Sequence, residues 1–470
     1  MVAGPGSHSA GRRALMALMF FPRGGSSHVT RSLARYLPRA GWGVALVSGS
    51  KGAPGESSHA ETFFEGLDVH ALDYTAALAA ADPFAAEPPL HPSFEDRPDA
   101  PDRVFAAVGD EVFERLVATW EVALADAGAA EADVLHLHHL TPINEAAGRA
   151  FGEIPVVGHL HGTELLMLEQ IEAGARPDWQ HAAAWHERLR GWAARCERLL
   201  ALSPGVAERA ERLLGVEPDR IVLAPNGFDP GAFERRPVAG ESRVEFWRRW
   251  LVERPRGWDE SGEPGSVRYD EADLAAFAGD APVMIYVGRF TEVKRLPLLV
   301  RAYAQARKSF ARRAPLVLLG GHPGEWEGEH PQSVIRALGV EDVFLPGWHG
   351  HDELPAFLNA ADVCVLASVR EGFGQVLVEA MACGLPAIAV DAGGPATIVG
   401  AGETGWLVEP DDVDSLAGAL VEAVNDEPER RRRGEAAHAD AQARYSWPAL
   451  AANVARVYEE ARSAAYPPPP

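Results

Sequence analysis

What most limits the fold of this chain is the spacing of its apolar residues. Runs of strand length alternate with longer segments in which apolar residues return every three or four positions. Strands of a parallel sheet are covered on both faces and read as continuous apolar runs, while the helices that return between them are amphipathic. In the first half the strand-like runs are Ala14–Phe21, Gly43–Ser48, Val134–His138, Val156–Leu160, Leu199–Ser203 and Ile221–Ala224, with helical segments such as Ser27–Ala40 and Ala184–Arg198 between them. In the second half they are Val283–Val287, Leu316–Gly320, Val343–Pro346, Val363–Ala367, Ala387–Val390 and Gly405–Val408. Helices between these include Leu296–Ala311, Leu354–Asn359, Val376–Ala382 and Ser415–Asn425. The pattern predicts an α/β chain of two domains, with ligands at the carboxyl ends of parallel strands. A length of 470 residues agrees, being too great for one ordinary core.

Between the halves the alternation breaks. Residues 233–282 are rich in Arg, Glu, Trp, Pro and Gly, with an amphipathic piece at Glu241–Val252 and turn signals around it. This stretch is expected to be an elaborated interdomain connection, mostly surface. The expected division is therefore 1–232, a connection at 233–282, and 283–446. Ala81–Pro101 is expected to be a loop, and the proline tail Tyr466–Pro470 to be disordered.

Charge narrows the partners. With 44 Lys+Arg against 67 Asp+Glu, the net charge of -23 repels nucleic acid and anionic lipid. Cys196, Cys364 and Cys383 are too few and too scattered for a disulfide framework or a zinc site, and fit a reducing cytoplasm. Arg12-Arg13 followed by Ala14–Phe21 has the outline of a leader peptide. Its apolar run is short, however, and leads into Pro22-Arg23-Gly24-Gly25, so a buried first strand and a glycine turn are expected instead. No run approaches the ~18 apolar residues of a membrane span.

The most informative segment runs from Arg370 through Glu371-Gly372-Phe373-Gly374-Gln375-Val376-Leu377-Val378-Glu379 to Ala382. It follows a strand and opens a helix. Glycines there let backbone approach a ligand, and a helix start offers unpaired N–H groups and a positive dipole end, a seat for a diphosphate. Glu371 precedes the first turn and Glu379 follows it. A carboxylate accepts from vicinal hydroxyl pairs, so the two can grip a sugar and a ribose on either side of that diphosphate. A second segment, Gly288-Arg289-Phe290-Thr291-Glu292-Val293-Lys294, also follows a strand. Two cations at a strand end can neutralise a leaving diphosphate.

With these motifs in place, the chain resembles the family 4 retaining glycosyltransferases of the GT-B fold over nearly its whole length, apart from an insert near 236–280, within the connection, and the loop near 81–101. The E-x7-E signature falls on Glu371 and Glu379, and the strand–GR–x4–K signature on Gly288, Arg289 and Lys294. The N-terminal glycine loop falls on Gly24–Val29, the His-Gly after an N-domain strand on His161-Gly162, and the Pro-Asn-Gly-x-Asp turn on Pro225–Asp229. The resemblance implies two Rossmann-like α/β domains facing across a cleft, with a closing helix near 447–464 that crosses back to the first. It implies a nucleotide-diphosphate sugar donor, UDP-sugar foremost, a hydroxyl acceptor that is a small molecule or a glycan, and no essential divalent metal.

It also implies roles. Arg289 and Lys294 would contact the diphosphate, Glu371 would hold the transferred sugar with N–H groups of Phe373 and Gly374, and N–H groups of Val376 and Leu377 would face the phosphates. Glu379 would grip the ribose, Gly25 would admit the diphosphate from the other domain, and His161 would point at the reacting sugar. Base contacts would come from backbone near 347–349. His28, His139 and Asn144 are acceptor-side candidates. The chain departs from the family at Gln375, where Leu is usual, at Thr397, where an acidic residue is usual, and in the insert.

Other signals give way to plainer readings. His136, His138, His139, His159 and His161 invite a metal reading, but alternation along two strands supplies no Cys or carboxylate to complete a shell, and no metal is expected. Asp412-Val413-Asp414 precedes a helix and is expected to cap it. The Arg- and Trp-bearing helix near 184–198 could lie on an anionic membrane, but Glu187 and Glu197 interrupt it, so a solvated face is expected. An epimerase of the same fold needs a base and a paired acid at the sugar ring, and no such pair stands out. A non-catalytic scaffold would not need Glu371, Arg289, Lys294 and His161 together.

Overall fold

The apolar runs become strands whose ends move by a few residues from the expected positions. The computed structural model describes residues 11–22, 24–95 and 101–465, so the expected disordered tail lies outside the described residues. The chain divides into two units, Met1–Pro225 with Trp447–Pro470, and Asn226–Ser446.

The first unit holds β1 (Arg12–Leu18), β2 (Trp42–Ser50), β3 (Asp68–Asp73), β4 (Val134–His138), β5 (Val156–Leu160), β6 (Arg198–Ala201) and β7 (Ile221–Leu223). They form one parallel sheet in the order β3-β2-β1-β4-β5-β6-β7. The second holds β8 (Met284–Gly288), β9 (Leu316–Gly320), β10 (Val343–Gly347), β11 (Val363–Leu366), β12 (Ala387–Val390) and β13 (Gly405–Val408), parallel in the order β10-β9-β8-β11-β12-β13. Together they are the two Rossmann-like sheets of the GT-B fold. In each sheet the strand order reverses at one place, between β1 and β4 and between β8 and β11. Connections leave such a pair in opposite directions and open a crevice at the strands' carboxyl ends, where ligands bind in this class of sheet.

β3 was not among the expected strands. Its sequence, Asp-Val-His-Ala-Leu-Asp, sits at a sheet edge with every residue exposed or half-buried and none fully buried. An edge strand needs apolar residues on one face only and tolerates charge, so no continuous apolar run announces it.

The helix Trp447–Ala465 buries Trp447, Leu450, Ala451, Val454, Val457, Tyr458 and Ala461, a helical stripe, in the same cluster as Ala14, Met16, Val29, Leu33 and Trp42. This helix thus completes one face of the first sheet.

The insert departs from its expected place at the surface. It belongs to the second unit and buries Trp247, Trp250, Trp258 and Phe277. Its physical task is to cover an edge: β10 is the outer strand, and Tyr269 Oη accepts the Leu345 N–H (2.9 Å) where a neighbouring strand would otherwise be needed. Phe277 packs on Phe344 of β10 at 4.7 Å between ring centroids, and Trp247 stacks on Phe277. Among the described residues no helix is long and apolar enough to cross a membrane.

Candidate functional site

In the second unit the reversal point gathers most of the residues singled out in the sequence. The loop after β8 carries Arg289 and, in one turn of 3-10 helix, Lys294; the loop after β11 carries Glu371. Lys294 and Glu371, 77 positions apart, form a salt bridge in which both side chains are largely buried. The two loops are also fastened by backbone, since Val369 N–H donates to the Val293 carbonyl (3.1 Å). Arg295, next in sequence, grips Asp411 through two nitrogens (2.6 and 3.2 Å). Arg289 is exposed and forms no ion pair among the described residues, while its carbonyl accepts from the buried Tyr286 hydroxyl (2.8 Å). Its backbone is fixed and its charge is available.

The helix Gln375–Ala382 opens at Gly374, whose φ of +103° only glycine adopts without strain. Among the described residues no side chain caps that end. Among the described residues, the N–H groups of Phe373, Gly374, Gln375 and Val376 have no backbone acceptor, whereas Leu377 N–H donates to the Gly374 carbonyl (2.9 Å). Leu377 is therefore spoken for within the first turn, and the unsatisfied donors lie just before it. An anion at this end would meet four N–H groups and the positive end of the helix dipole.

Glu379 lies deeper than its expected role implies, at 3% exposure. Its carboxylate is 2.9 Å from His351 Nε2 and accepts from Gln375 Nε2 at 3.0 Å. Gln375 also donates to the Gly227 carbonyl (2.9 Å). A leucine at 375 could make neither bond, so this departure from the family serves to hold Glu379 and the Asn226–Asp229 turn. Beside these residues is a cavity of about 500 Å³ lined by Gly288, Arg289, Gly321, Trp326, Trp348 and His349 among others. Asp412 caps the helix Val413–Asn425 by accepting from Asp414 N–H and Ser415 N–H (2.8 and 2.9 Å), as expected of that acidic pair.

The first unit's reversal point has a different character. After β4 comes His139, a non-glycine residue at φ +65°, and after β5 come His161 and Gly162, which starts the helix Thr163–Gly174. His136, His138, His159 and His161 stack, with ring centroids 4.5 Å apart for His136–His138, 5.1 Å for His138–His159 and 4.6 Å for His159–His161. His136 Nδ1 lies 2.6 Å from Tyr458 Oη and its Nε2 3.2 Å from His159 Nδ1; His138 Nδ1 lies 3.0 Å from His161 Nε2. Burial, reinforced by the neighbouring imidazoles, holds His136, His138 and His161 well below the ordinary histidine range and pushes His159 down to about 3. At neutral pH the stack is uncharged.

Sequence reasoning missed Glu164. This fully buried carboxylate accepts from the His161 backbone N–H (3.1 Å) and lies 3.4 Å from His139 Nδ1. Burial alone would raise it, but the adjacent His139 imidazole and the backbone N–H groups outweigh that and hold it below the usual carboxylate range. From sequence it is an acidic residue in a helix's first turn, a common surface feature. Among the acceptor-side candidates, His28 is exposed on the helix Gly25–Tyr36 and lies 3.1 Å from Arg31. Gly25 begins that helix in open space, with nothing within 4 Å of where a Cβ would stand. Asn144 is buried and its Oδ1 accepts Thr141 N–H (2.9 Å), so it caps the helix Pro142–Ala150.

One ring nitrogen each of His136, His138 and His159 lies within 4.8 Å of the others, the one grouping of metal-ligand type among the described residues. It has no carboxylate or thiol among the described residues to balance a dication, and both nitrogens of His136 already have partners. The set reads as a hydrogen-bonded imidazole stack.

Known proteins resemble this chain in both of its units. Residues 23–232 match the model described as Glycosyltransferase Family 4, and residues 271–440 that described as Glycosyl transferases group 1. D-inositol 3-phosphate glycosyltransferase 1 of Catenulispora acidiphila is 30% identical over 342 residues, covering 70% of this chain and 72% of that protein. The D-inositol 3-phosphate glycosyltransferase of Stackebrandtia nassauensis is 29% identical over 340 residues, 70% of this chain and 68% of its own. Among solved structures, sucrose-phosphate synthase from Thermosynechococcus elongatus superposes with a TM-score of 0.61 at 21% identity, covering 96% of this chain and all of that one. Anabaena HepE in complex with UDP gives 0.62 at 19% identity, covering 95% of this chain and all of that one.

Proposed function

The chain belongs to glycosyltransferase family 4, and from that membership we propose that it is a cytoplasmic, retaining hexosyltransferase that takes a sugar from a nucleotide-diphosphate donor, UDP foremost, to a hydroxyl acceptor. The observation that carries the reading is the convergence of Arg289, Lys294, Glu371 and the open helix end at one reversal point. In the proposed site the second unit binds the donor. Its diphosphate lies against the N–H groups before Leu377, and Lys294 exchanges Glu371 for a phosphate oxygen. Glu371, released, accepts from hydroxyls of the transferred sugar. The cavity beside Trp348 and His349 takes the nucleoside, with Glu379 on the ribose.

Chemistry then needs charge stabilisation more than a separate base. The bond from the anomeric carbon to phosphate oxygen breaks, and Arg289 and Lys294 hold the negative charge that develops. The acceptor hydroxyl attacks from the same face, its proton passing to the departing phosphate oxygen, so that the products are a glycoside of retained configuration and a nucleoside diphosphate. A neutral His161 suits this scheme, since burial suppresses its basicity. We assign it, with His139 held by Glu164, to the acceptor side. HepE has been crystallised with UDP and with UDP-glucose, which makes UDP the first nucleotide to test. The names of the relatives make D-inositol 3-phosphate the first acceptor. The cysteines are free and buried, in keeping with a reducing compartment.

Thermal-shift titration with UDP, GDP, ADP, TDP and their sugar conjugates tests the donor class. A nucleotide at 100 times its Kd adds about 2.7 kcal/mol, a melting shift of some degrees. In the same assay Glu371→Gln should keep the nucleotide shift while turnover falls about a hundredfold or more. A folded sample that responds to none of these nucleotides refutes the reading.

A further inference from the structure

The insert reaches the 500 Å³ cavity from behind and shapes two of its walls. One wall is the loop after β9. Trp258, fully buried, donates its Nε1–H to the Gly321 carbonyl (3.0 Å) and stacks on Phe290 with ring centroids 5.4 Å apart and planes 23° apart. It also packs against Trp326, which lines the cavity (5.8 Å), and against His330 (4.7 Å). The other wall is the loop after β10. Trp250 meets His349 edge-on at 4.6 Å, and Arg256 pairs with Glu353, whose carboxylate also lies 3.0 Å from His349 Nδ1.

Backbone fixes the register of this contact. A Cβ at Gly257 would stand 2.2 Å from the Leu345 carbonyl oxygen, and one at Gly347 would stand 2.2 Å from the Arg256 carbonyl oxygen. The insert and the end of β10 therefore interlock at two glycines that cannot acquire side chains without moving apart. Burying four aromatic side chains merely to cover an edge strand would not require contacts at both cavity loops. Those contacts tie the spacing between Gly321 and the Trp348–His349 backbone to the insert.

We propose that the insert is a nucleoside-selecting brace, in which Trp258 and Arg256 act as positioning residues that hold the cavity to the width of a pyrimidine base. The inference rests on the reading of this cavity as the nucleoside pocket. Trp258 touches the walls and not the cavity, so it acts on the base through Gly321 and Trp326. A loosened wall loses contact with a pyrimidine and gains room for a purine, so affinity and preference should shift together.

Calorimetric titration of the full chain with UDP and with GDP tests this, using wild type, Trp258→Ala, Trp258→Phe and Arg256→Ala, with circular dichroism as the check on folding. Trp258→Ala is expected to weaken UDP about tenfold and to cut the UDP-over-GDP preference about tenfold, with Trp258→Phe between it and wild type. Turnover at saturating donor should stay within about twofold, the effect falling on KM. Arg256 is largely at the surface, so Arg256→Ala carries the test if the tryptophan variant does not fold, and a threefold loss of preference is expected there. A folded variant with an unchanged preference ratio overturns the brace and leaves the pocket reading intact. Wild type that binds neither nucleotide overturns both.

Discussion

The two units build a crevice at the same topological place and furnish it with opposite chemistry. Between β8 and β11 the groups are ions, Arg289, Lys294 and Glu371, set against an uncapped helix end. Between β1 and β4, and on to β5, they are mainly the imidazoles of His136, His138 and His161, stripped of charge by burial, beside His139 and its one interior carboxylate partner, Glu164. The contrast shows that parallel-sheet topology locates a binding crevice without deciding what it binds. A departing diphosphate needs fixed positive charge, whereas a neutral sugar hydroxyl is served by neutral donors and acceptors that do not compete for its proton.

That contrast can be broken most directly by removing the ions. Lys294→Ala and Arg289→Ala should each lower kcat/KM by about a hundred- to a thousandfold, the range found when a single charge-stabilising donor is lost. His161→Ala should cost less, about ten- to a hundredfold, and leave UDP affinity unchanged. Steady-state kinetics with UDP titrations would reverse the assignment of the two units if His161→Ala abolished UDP binding while Lys294→Ala did not.

Acidification should separate the units next. The stacked histidines have lowered values in the folded chain, His159 near 3, while the unfolded chain titrates near the ordinary histidine value of about 6.5. Above that value neither state binds the proton and nothing is lost. Below it the unfolded chain takes up protons that the folded stack refuses, so stability falls with falling pH by about 1.4 kcal/mol per pH unit for each such histidine. Calorimetry from pH 7.5 to 5 should show the first unit's transition falling faster than the second's. Equal slopes would mean that the stack is not held neutral.

The smallest effect sharpens the comparison from the other side. Asp412→Ala removes a helix cap in the second unit and should cost about 1 kcal/mol by denaturant melt, with kinetics unchanged. A kinetic defect there would mean that the acidic pair does more than cap.

How far the sequence reaches depends on the range of the contact. The strand runs, the glycine-bearing loop before Gln375 and the Asp412 cap are local, settled by burial of a few neighbouring residues or by a side chain and N–H groups two or three positions on. Those were legible. The partner of Lys294 is 77 positions away, and the hydroxyl that ends the imidazole stack is 322 positions from His136. No periodicity encodes such pairs. Asn144 was an acceptor-side candidate, and its part in capping, with Oδ1 accepting the Thr141 N–H, is seen only in the structure. Gln375 stood out in the sequence only as a departure from the family's usual Leu, and only the structure shows that it bridges Glu379 and the Gly227 carbonyl.

By itself, then, the sequence determined two parallel-sheet units, the loops that carry charge and glycine, and membership of a glycosyltransferase family, because apolar spacing and short-range motifs follow from local backbone geometry. Only the tertiary structure decided that the insert covers β10 and walls a cavity, that Glu164 is buried beneath His161, and that the histidines form a neutral stack. Burial, charge state and hydrogen-bond partner are properties of what packs around a residue, and for these residues the packing comes from distant parts of the chain.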